Sequence, residues 1–147
     1  MSYKGRYRPS NKKKYRGDVN NIIYRSLWER KFMVKCDHDP DIIEWGSEEV
    51  IIPYISPVDG KQHRYFPDFF VKTSKGEKFL IEIKPKKYTK QPKKPKRVTK
   101  RYIYEATEWG KNQAKWRAAE SICKRNGWKF LIFTEDHLNT HKYISNK

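Results

Sequence analysis

Two acidic residues and a lysine are spaced along the sequence so that they could act together on a phosphodiester bond. Asp68 is followed fourteen residues later by Glu82, and Lys84 comes two residues after that. In a strand over residues 78–84, the alternation of side chains would put Glu82 and Lys84 on the same face. Gly76 lies near the midpoint between the acids, so a hairpin turning there would bring Asp68 opposite Glu82 or the next residue. The spacing therefore predicts two carboxylates and an ammonium group on one patch.

That patch would suit metal-assisted hydrolysis. Two carboxylates held close together repel each other unless a cation lies between them. A hard divalent ion such as Mg²⁺ takes oxygen ligands of this kind and keeps several of its waters. The ammonium group of Lys84 could orient the attacking water or stabilise charge on the scissile phosphate. The alternative is that Glu82 and Lys84 are an ordinary charged pair on a solvated strand face.

The elements that would position these residues are predicted from the periodicity of apolar and β-branched residues. We expect helices over 20–36 and 104–126, and strands over 48–54, 63–73, 78–84 and 128–133. The first three strands are consecutive and joined by short turns, which favours an antiparallel meander. Alternate apolar residues of the meander should face a core, and these are Phe69, Val71, Phe79, Ile81 and Ile83.

The charge of the chain predicts a polyanionic partner. The net charge is +17, from 34 Lys and Arg against 17 Asp and Glu. The cations concentrate in a basic arm over 1–17 and a basic loop over 85–101, neither of which contains an acid. We expect nucleic-acid phosphates to be bound by Lys12, Lys13, Lys14, Arg16, Lys86, Lys87, Lys93, Lys94, Lys96 and Arg97. The arm should be loose in the free protein, with Tyr7 and Tyr15 free to stack on bases, unless it is only a solubilising tail.

Composition argues against a membrane or secreted protein. No apolar run approaches the roughly 20 residues needed to cross a bilayer. The first residues lack the apolar segment of a secretory signal. Cys36 and Cys123 show no disulfide pattern, so we expect two buried, reduced thiols.

Several motifs together resemble one nuclease superfamily. Pro67-Asp68, followed by Glu82-Ile83-Lys84 on the next strand, resembles the signature of the PD-(D/E)XK nucleases. The stretches 24–29, 52–54 and 64–69 resemble the endonuclease subunit of heteromeric transposases. The size, the basic character and the order of elements are similar to the head completion nucleases of T-even-like tailed phages. This resemblance covers residues 20–135.

The resemblance implies an α/β fold. This is a restriction-endonuclease-like mixed sheet, with an antiparallel meander and flanking helices. The nuclease domain would occupy 18–135 and include the basic loop 85–101. The basic arm 1–17 would precede it, and a tail over 136–147 would follow.

The resemblance also implies roles for individual residues. Asp68 and Glu82 would hold Mg²⁺, for which Mn²⁺ should substitute, and Lys84 would be catalytic. Glu29 matches an additional acid that the superfamily places on a preceding helix, so it would be a further catalytic residue and metal ligand. The alternative for Glu29 is a salt bridge with Arg25 one helical turn away.

Some members of the superfamily add a polar helix residue after the Glu-x-Lys strand. Gln113 or Lys115 could be that residue here. The alternative is that both belong to a solvated helix face.

The implied function is endonucleolytic hydrolysis of double-stranded DNA. The protein would act on packaged DNA ends before tail attachment, with phage head or neck proteins as possible partners. It would be located in the host cytoplasm or associated with the virion. One alternative is a non-catalytic DNA-binding structural component of the head or neck. Another is a junction-resolving or restriction-type nuclease that acts as a dimer.

Overall fold

The computed structural model describes residues 4–140, with side chains described as far as Leu138. The strands are β1 (Gly5–Arg6), β2 (Ile23–Tyr24), β3 (Ile42–Ser47), β4 (Ile52–Ile55), β5 (Gln62–Tyr65), β6 (Phe69–Thr73), β7 (Lys78–Ile83) and β8 (Lys129–Phe133). The helices are α1 (Leu27–His38), α2 (Lys100–Asn126) and α3 (Glu135–Thr140), with short 3₁₀ turns at Lys12–Lys14 and Lys86–Thr89. Of the predicted tail, α3 is described, and residues 141–147 lie outside the described part. Over residues 4–140, no helix combines the length and the apolar character that crossing a membrane requires.

The central element is a four-stranded mixed sheet in the order β3-β6-β7-β8. β6 pairs antiparallel with both β3 and β7, whereas β8 pairs parallel with β7. A parallel neighbour needs a long crossover, and α2 with the loop before it supplies that connection. The predicted mixed sheet with flanking helices is confirmed.

Both faces of this sheet are buried. One face packs against α1 through the predicted residues Phe69, Val71, Phe79 and Ile81, with Ile83 partly buried beside them. The opposite face carries Phe70 and Leu80 and packs against α2 through Trp116, Ala119 and Cys123. Successive residues of a strand therefore pack into two different cores. Cys36 and Cys123, one in each core, are the buried free thiols expected from the sequence.

The predicted meander is wrong in its details. The strand expected over 63–73 is interrupted at residues 66–68, because Pro67 has no N–H to give to a ladder. As a result β5 pairs with β4 in a separate two-stranded sheet, and only β6 joins the central one. Strand β3, which buries Trp45 and pairs with β6, was not predicted from the sequence. Residues 48–51 lie outside the strands, although the prediction had placed them in one.

Both long helices begin elsewhere than predicted. α1 begins at Leu27 rather than at residue 20, because the side chain of Ser26 accepts the backbone N–H of Glu29 at 3.1 Å and caps the helix. α2 begins at Lys100 rather than at 104, with Thr99 as the corresponding cap. It ends where expected, since Gly127 takes the left-handed conformation with φ of 73°.

From residue 4 onward the basic arm packs against the domain, so the expectation of a loose segment is wrong for the part of the arm that the structure describes. β1 pairs with β2, and Tyr7 and Tyr15 are 6% and 7% exposed with their rings against Trp45. These two rings are therefore unavailable for stacking on bases.

The buried carboxylate of Asp37 binds three groups of the arm. Asp37 accepts hydrogen bonds from the Tyr7 hydroxyl at 2.6 Å, from the Ser10 N–H at 2.7 Å and from the Asn11 N–H at 2.9 Å. Burial alone would raise the pKa of Asp37, but these donors outweigh it and hold the pKa below its usual value. The ionised carboxylate is therefore the form that the fold favours.

We predict that Asp37→Asn destabilises the protein at neutral pH by about 1.5–3 kcal/mol, the usual size of a hydrogen bond to a charged group. Because the pKa of Asp37 is lowered in the folded state, this stabilisation is present above the ordinary aspartate pKa of about 3.9. It should be lost as the pH falls through the folded-state value. Urea unfolding at several pH values measures the difference, and Asp41→Asn, at an exposed aspartate, is the control. Equal stability of Asp37→Asn and the wild type at pH 7 would contradict the prediction.

Candidate active site

The predicted acidic pair meets at one end of the β6–β7 hairpin. The pairing of Phe69 with Ile81 places Asp68, one residue before β6, opposite Glu82. The backbone N–H of Ile83 donates to Asp68 Oδ2 at 2.8 Å, which fixes that carboxylate against β7. The predicted opposition of the two acids is therefore present in the structure.

Glu82 is held between a tyrosine and a lysine. Its side chain is deeply buried, and the residue is 8% exposed. Oε1 accepts the hydroxyl of Tyr65 at 2.6 Å, while Oε2 lies 3.7 Å from Nζ of Lys84. The backbone N–H of Lys84 donates to the carbonyl of Phe133 at 2.9 Å, so the lysine continues the pairing of β7 with β8. The carboxylate thus has one oxygen bonded to a hydroxyl and the other turned towards an ammonium group.

The electrostatics of the pair favour a cation. Burial is the largest influence on Asp68 and raises its pKa well above the usual range, and the charge of Glu82 raises it further. Burial also raises the pKa of Glu82, although the Tyr65 hydroxyl and the charge of Lys84 oppose the shift. Both acids are therefore held where ionisation is unfavourable, and a bound cation would offset that cost.

Glu29 lies close enough to act on Asp68. It is in the first turn of α1, and its charge contributes to the raised pKa of Asp68. The pKa of Glu29 itself is raised, chiefly by burial. Oε1 of Glu29 accepts the backbone N–H of Arg25 at 3.0 Å, while the guanidinium of Arg25 pairs with Glu48. The guanidinium of Arg25 therefore pairs with Glu48, and not with Glu29 as the salt-bridge alternative required.

Glu48 is a fourth acid that the sequence analysis missed. It follows β3 directly and takes the left-handed conformation with φ of 54°, which is uncommon for a residue with a side chain. Its N–H donates to the carbonyl of Asp68 at 3.1 Å, and its charge adds to the raised pKa of Asp68. Backbone strain of this kind costs about 1–3 kcal/mol and is concentrated at functional sites. The sequence signal was the doublet Glu48-Glu49 after a strand, and it was hidden because that strand was not recognised.

Of the two helix residues considered, the structure brings one to the site. Nζ of Lys115 lies 5.8 Å from the ring centre of Tyr65, and burial lowers the pKa of this lysine while the charge of Glu82 raises it. Gln113 instead lines a groove beside Pro57 and Arg117. Positions two residues apart on an α-helix point in nearly opposite directions, which explains the separation.

The basic loop and the start of α2 line a cavity next to Lys84. The volume of this cavity is about 570 Å³, and the residues lining it include Lys87, Tyr88, Lys90, Arg101, Tyr104 and Trp109. Four further cations of the loop are exposed, namely Lys93, Lys94, Lys96 and Arg97. Lys86 has an acidic partner, since its Nζ lies 3.1 Å from Asp136.

The cations of the arm differ in their surroundings. Nζ of Lys14 donates to the carbonyls of Asp37 and Asp39 at 2.9 Å each, and Arg16 pairs with Glu44 at 2.9 Å. Lys12 and Lys13 are exposed. Of the four arm residues predicted to bind phosphate, Lys14 and Arg16 therefore already contact other groups of the protein.

The donor set fits a hard divalent cation with few protein ligands. Across residues 4–140, no three His, Cys, Asp or Glu side chains are grouped closely enough to hold a metal ion between them. Asp68 and Glu82 nevertheless form an apposed pair with raised pKa values, which is the arrangement a cation would relieve. One or two carboxylates together with waters are typical of Mg²⁺ sites.

Two comparisons with known proteins agree with this geometry. Residues 39–135 match a protein family described as TnsA-like endonuclease N terminal. The chain is also 48% identical over 142 residues to the head completion nuclease of Enterobacteria phage T4, which covers 94% of this chain and 95% of that protein. The family match includes Glu48, Asp68, Glu82 and Lys84, while Glu29 lies within the part of the chain that precedes it.

We predict that Asp68→Asn stabilises the metal-free protein at pH 7 and raises its Tm by a few degrees. Because the pKa of Asp68 is raised by folding, the folded state holds the proton more tightly than the unfolded chain. Ionisation therefore destabilises the fold as the pH rises above the ordinary aspartate value of about 3.9 towards the folded-state pKa. An asparagine removes that charge and can still accept the Ile83 N–H.

Scanning calorimetry in chelator at pH 7 and at pH 4 measures this effect. The gain should shrink at the lower pH, because the carboxyl of the unfolded chain then also binds the proton and the difference between the two states narrows. Glu77→Gln, in the turn of the same hairpin, is the control and should leave the Tm nearly unchanged. An Asp68→Asn variant that melts below the wild type at pH 7 would show that the charge is not a cost to the fold.

Proposed function

This chain belongs to the TnsA-like endonuclease N-terminal family, and from that premise we propose that it is a Mg²⁺-dependent DNA endonuclease acting in phage head completion. The observation that carries the proposal is the apposition of Asp68 and Glu82, with Nζ of Lys84 3.7 Å from Glu82 Oε2. Two like charges held close together, one of them buried, are unfavourable for stability alone, which supports a catalytic purpose.

Each group has a distinct part in the proposed hydrolysis. Asp68 and Glu82 would hold the metal ion, with Glu29 assisting through its charge, and Mn²⁺ should substitute for Mg²⁺. The bound ion would supply Lewis acidity at the scissile phosphate and a water of lowered pKa. Lys84 would orient the attacking water or stabilise the charge that develops on the phosphate. Lys115 adds a second positive charge on the same side of the sheet as Glu82.

The distribution of charge supports DNA as the substrate. The net charge of +17 would bind a duplex through its phosphates without sequence preference. The basic loop with its exposed cations follows β7, which carries Glu82, and begins directly after Lys84. The loop could therefore guide the backbone of the DNA towards the carboxylates.

The task in head completion is supported by the phage relative. That protein is named a head completion nuclease, and the identity of 48% extends over 94% of this chain. We propose that this chain likewise trims packaged DNA ends before tail attachment, in the infected cell or in the assembling particle. Head or neck proteins would then be its partners.

We predict that Lys84→Ala lowers the rate of DNA cleavage by about 100-fold or more, the usual loss when one oriented contact to a transition state is removed. Binding of DNA and of Mn²⁺ should persist, since the ammonium group is not a metal ligand. Gel assays on linear and circular DNA with Mg²⁺, and with chelator as the blank, measure the rate.

Lys78→Ala is the matched control for this variant. Lys78 lies at the other end of β7 and, six residues from Lys84, on the same face of the strand. It should retain the wild-type rate. If Lys84→Ala cleaves DNA as fast as Lys78→Ala, Lys84 is a structural residue, and the non-catalytic head component becomes the better explanation.

We predict that the basic loop sets the salt dependence of DNA binding. Replacing Lys93, Lys94 and Lys96 by Gln should weaken binding to all sequences alike. It should also flatten the slope of log affinity against log salt by up to about 0.9 for each phosphate that the protein no longer neutralises.

The control replaces an equal number of exposed cations at the opposite end of the sheet. Lys124, Arg125 and Lys129 lie near the start of β8, which pairs with the start of β7. Their replacement by Gln should leave the salt slope nearly unchanged. Equal slopes for the two triple variants would show that the net charge, and not the loop, governs binding.

A further inference from the structure

Tyr65 reaches the site from outside the central sheet. It is the last residue of β5, pairs with Ile52 of β4, and is 5% exposed. Its ring lies in the core beneath α2, together with Phe70, Leu80 and Trp116. The ring is therefore fixed by packing on several sides, and the direction of its hydroxyl is fixed with it.

The hydroxyl of Tyr65 divides the two oxygens of Glu82 between different partners. It donates to Oε1 at 2.6 Å in a buried, charge-assisted hydrogen bond. Oε2 is left on the side of Lys84, whose Nζ lies 3.7 Å away. A glutamate side chain has three torsions and loses up to about 2 kcal/mol of rotamer entropy when it is fixed in one orientation. Contact with a fixed hydroxyl selects that orientation before any ligand is bound.

We propose that Tyr65 is a positioning residue that restrains Glu82 to present only Oε2 as a metal ligand. The inference rests on the proposed function of the site, since it assigns Glu82 to the metal. Holding Glu82 in a single orientation would fix the oxygen that a cation meets and its distance from Lys84, whereas a freely rotating carboxylate would bind a cation more weakly and in several orientations. Groups that orient a ligand in this manner typically contribute about 10–100-fold to metal affinity or activity.

The test compares Tyr65→Phe with Tyr7→Phe. Each removes one hydroxyl that donates to a buried carboxylate at 2.6 Å, but the acceptor of Tyr7 is Asp37, which holds the N-terminal segment. Both variants keep the ring and should fold. We expect Tyr65→Phe to lower kcat and the affinity for Mn²⁺, measured by calorimetry without DNA, by about 10–100-fold. Its affinity for DNA in chelator should match the wild type, and Tyr7→Phe should lower the Tm alone.

A second background shows whether Tyr65 acts through Glu82. In Glu82→Gln the metal-binding charge is already lost, so adding Tyr65→Phe should change Mn²⁺ affinity no further. A further loss of the same size would overturn the proposal, as would wild-type kcat and Mn²⁺ affinity for Tyr65→Phe alone. Losses in Tyr65→Phe no larger than those in Tyr7→Phe would also overturn it.

The two proposals fail in different ways. A wild-type protein that cleaves no DNA with Mg²⁺ or Mn²⁺ would refute the proposed function, while calorimetry with Mn²⁺ would still report on Tyr65. A cleaving wild type with an equally active Tyr65→Phe variant would refute only the role of Tyr65.

Discussion

The pairing of β6 with β7 is the constraint on which the rest of the site depends. Its register sets Phe69 against Ile81 and Phe70 against Leu80, and these pairs belong to two different cores. A slip of one residue would exchange the two faces and place each set of side chains in the core that fits the other set. The same register brings Asp68 opposite Glu82, so the hydrophobic pattern of the hairpin forces two carboxylates together. The burial of the apolar side chains of the hairpin, which stabilises the fold, thus holds Asp68 and Glu82 close together although their charges repel.

The surrounding elements reduce the cost of that repulsion without removing it. A backbone N–H from β7 binds Asp68, and a hydroxyl from the β4–β5 sheet binds Glu82. Lys84 and Lys115 add positive charge, whereas Glu29 and Glu48 add further negative charge around Asp68. The pKa values of both central acids remain raised, so a cation bound between them would relieve a repulsion that the protein alone does not remove. The arrangement of charges around Asp68 and Glu82 therefore costs stability in the folded protein.

Local patterns in the sequence predicted the parts of the site that lie on one hairpin. The spacing of Asp68, Glu82 and Lys84 gave their arrangement correctly, because alternation along a strand and a short turn determine it. Glu48 and Tyr65 were missed because each reaches the site only through tertiary structure. Glu48 depends on the pairing of β3 with β6, and Tyr65 on the break at residues 66–68 that turns β5 away. The ordered arm was missed for a similar reason, since its anchor Asp37 lies more than twenty residues away in sequence.

The arm also shows that net charge overstates the surface available to DNA. Lys14 donates to two backbone carbonyls, and the exposed Arg16 pairs with Glu44 at the surface, so both cations already have partners within the protein. The basic loop differs, because its cations are mostly exposed and it continues directly from Lys84 through Pro85. Strand β7 therefore ends in the groups proposed for cleavage and passes at once into those proposed for binding. Since one strand end fixes both, a phosphate drawn in by the loop would arrive next to the carboxylates without any rearrangement of the sheet.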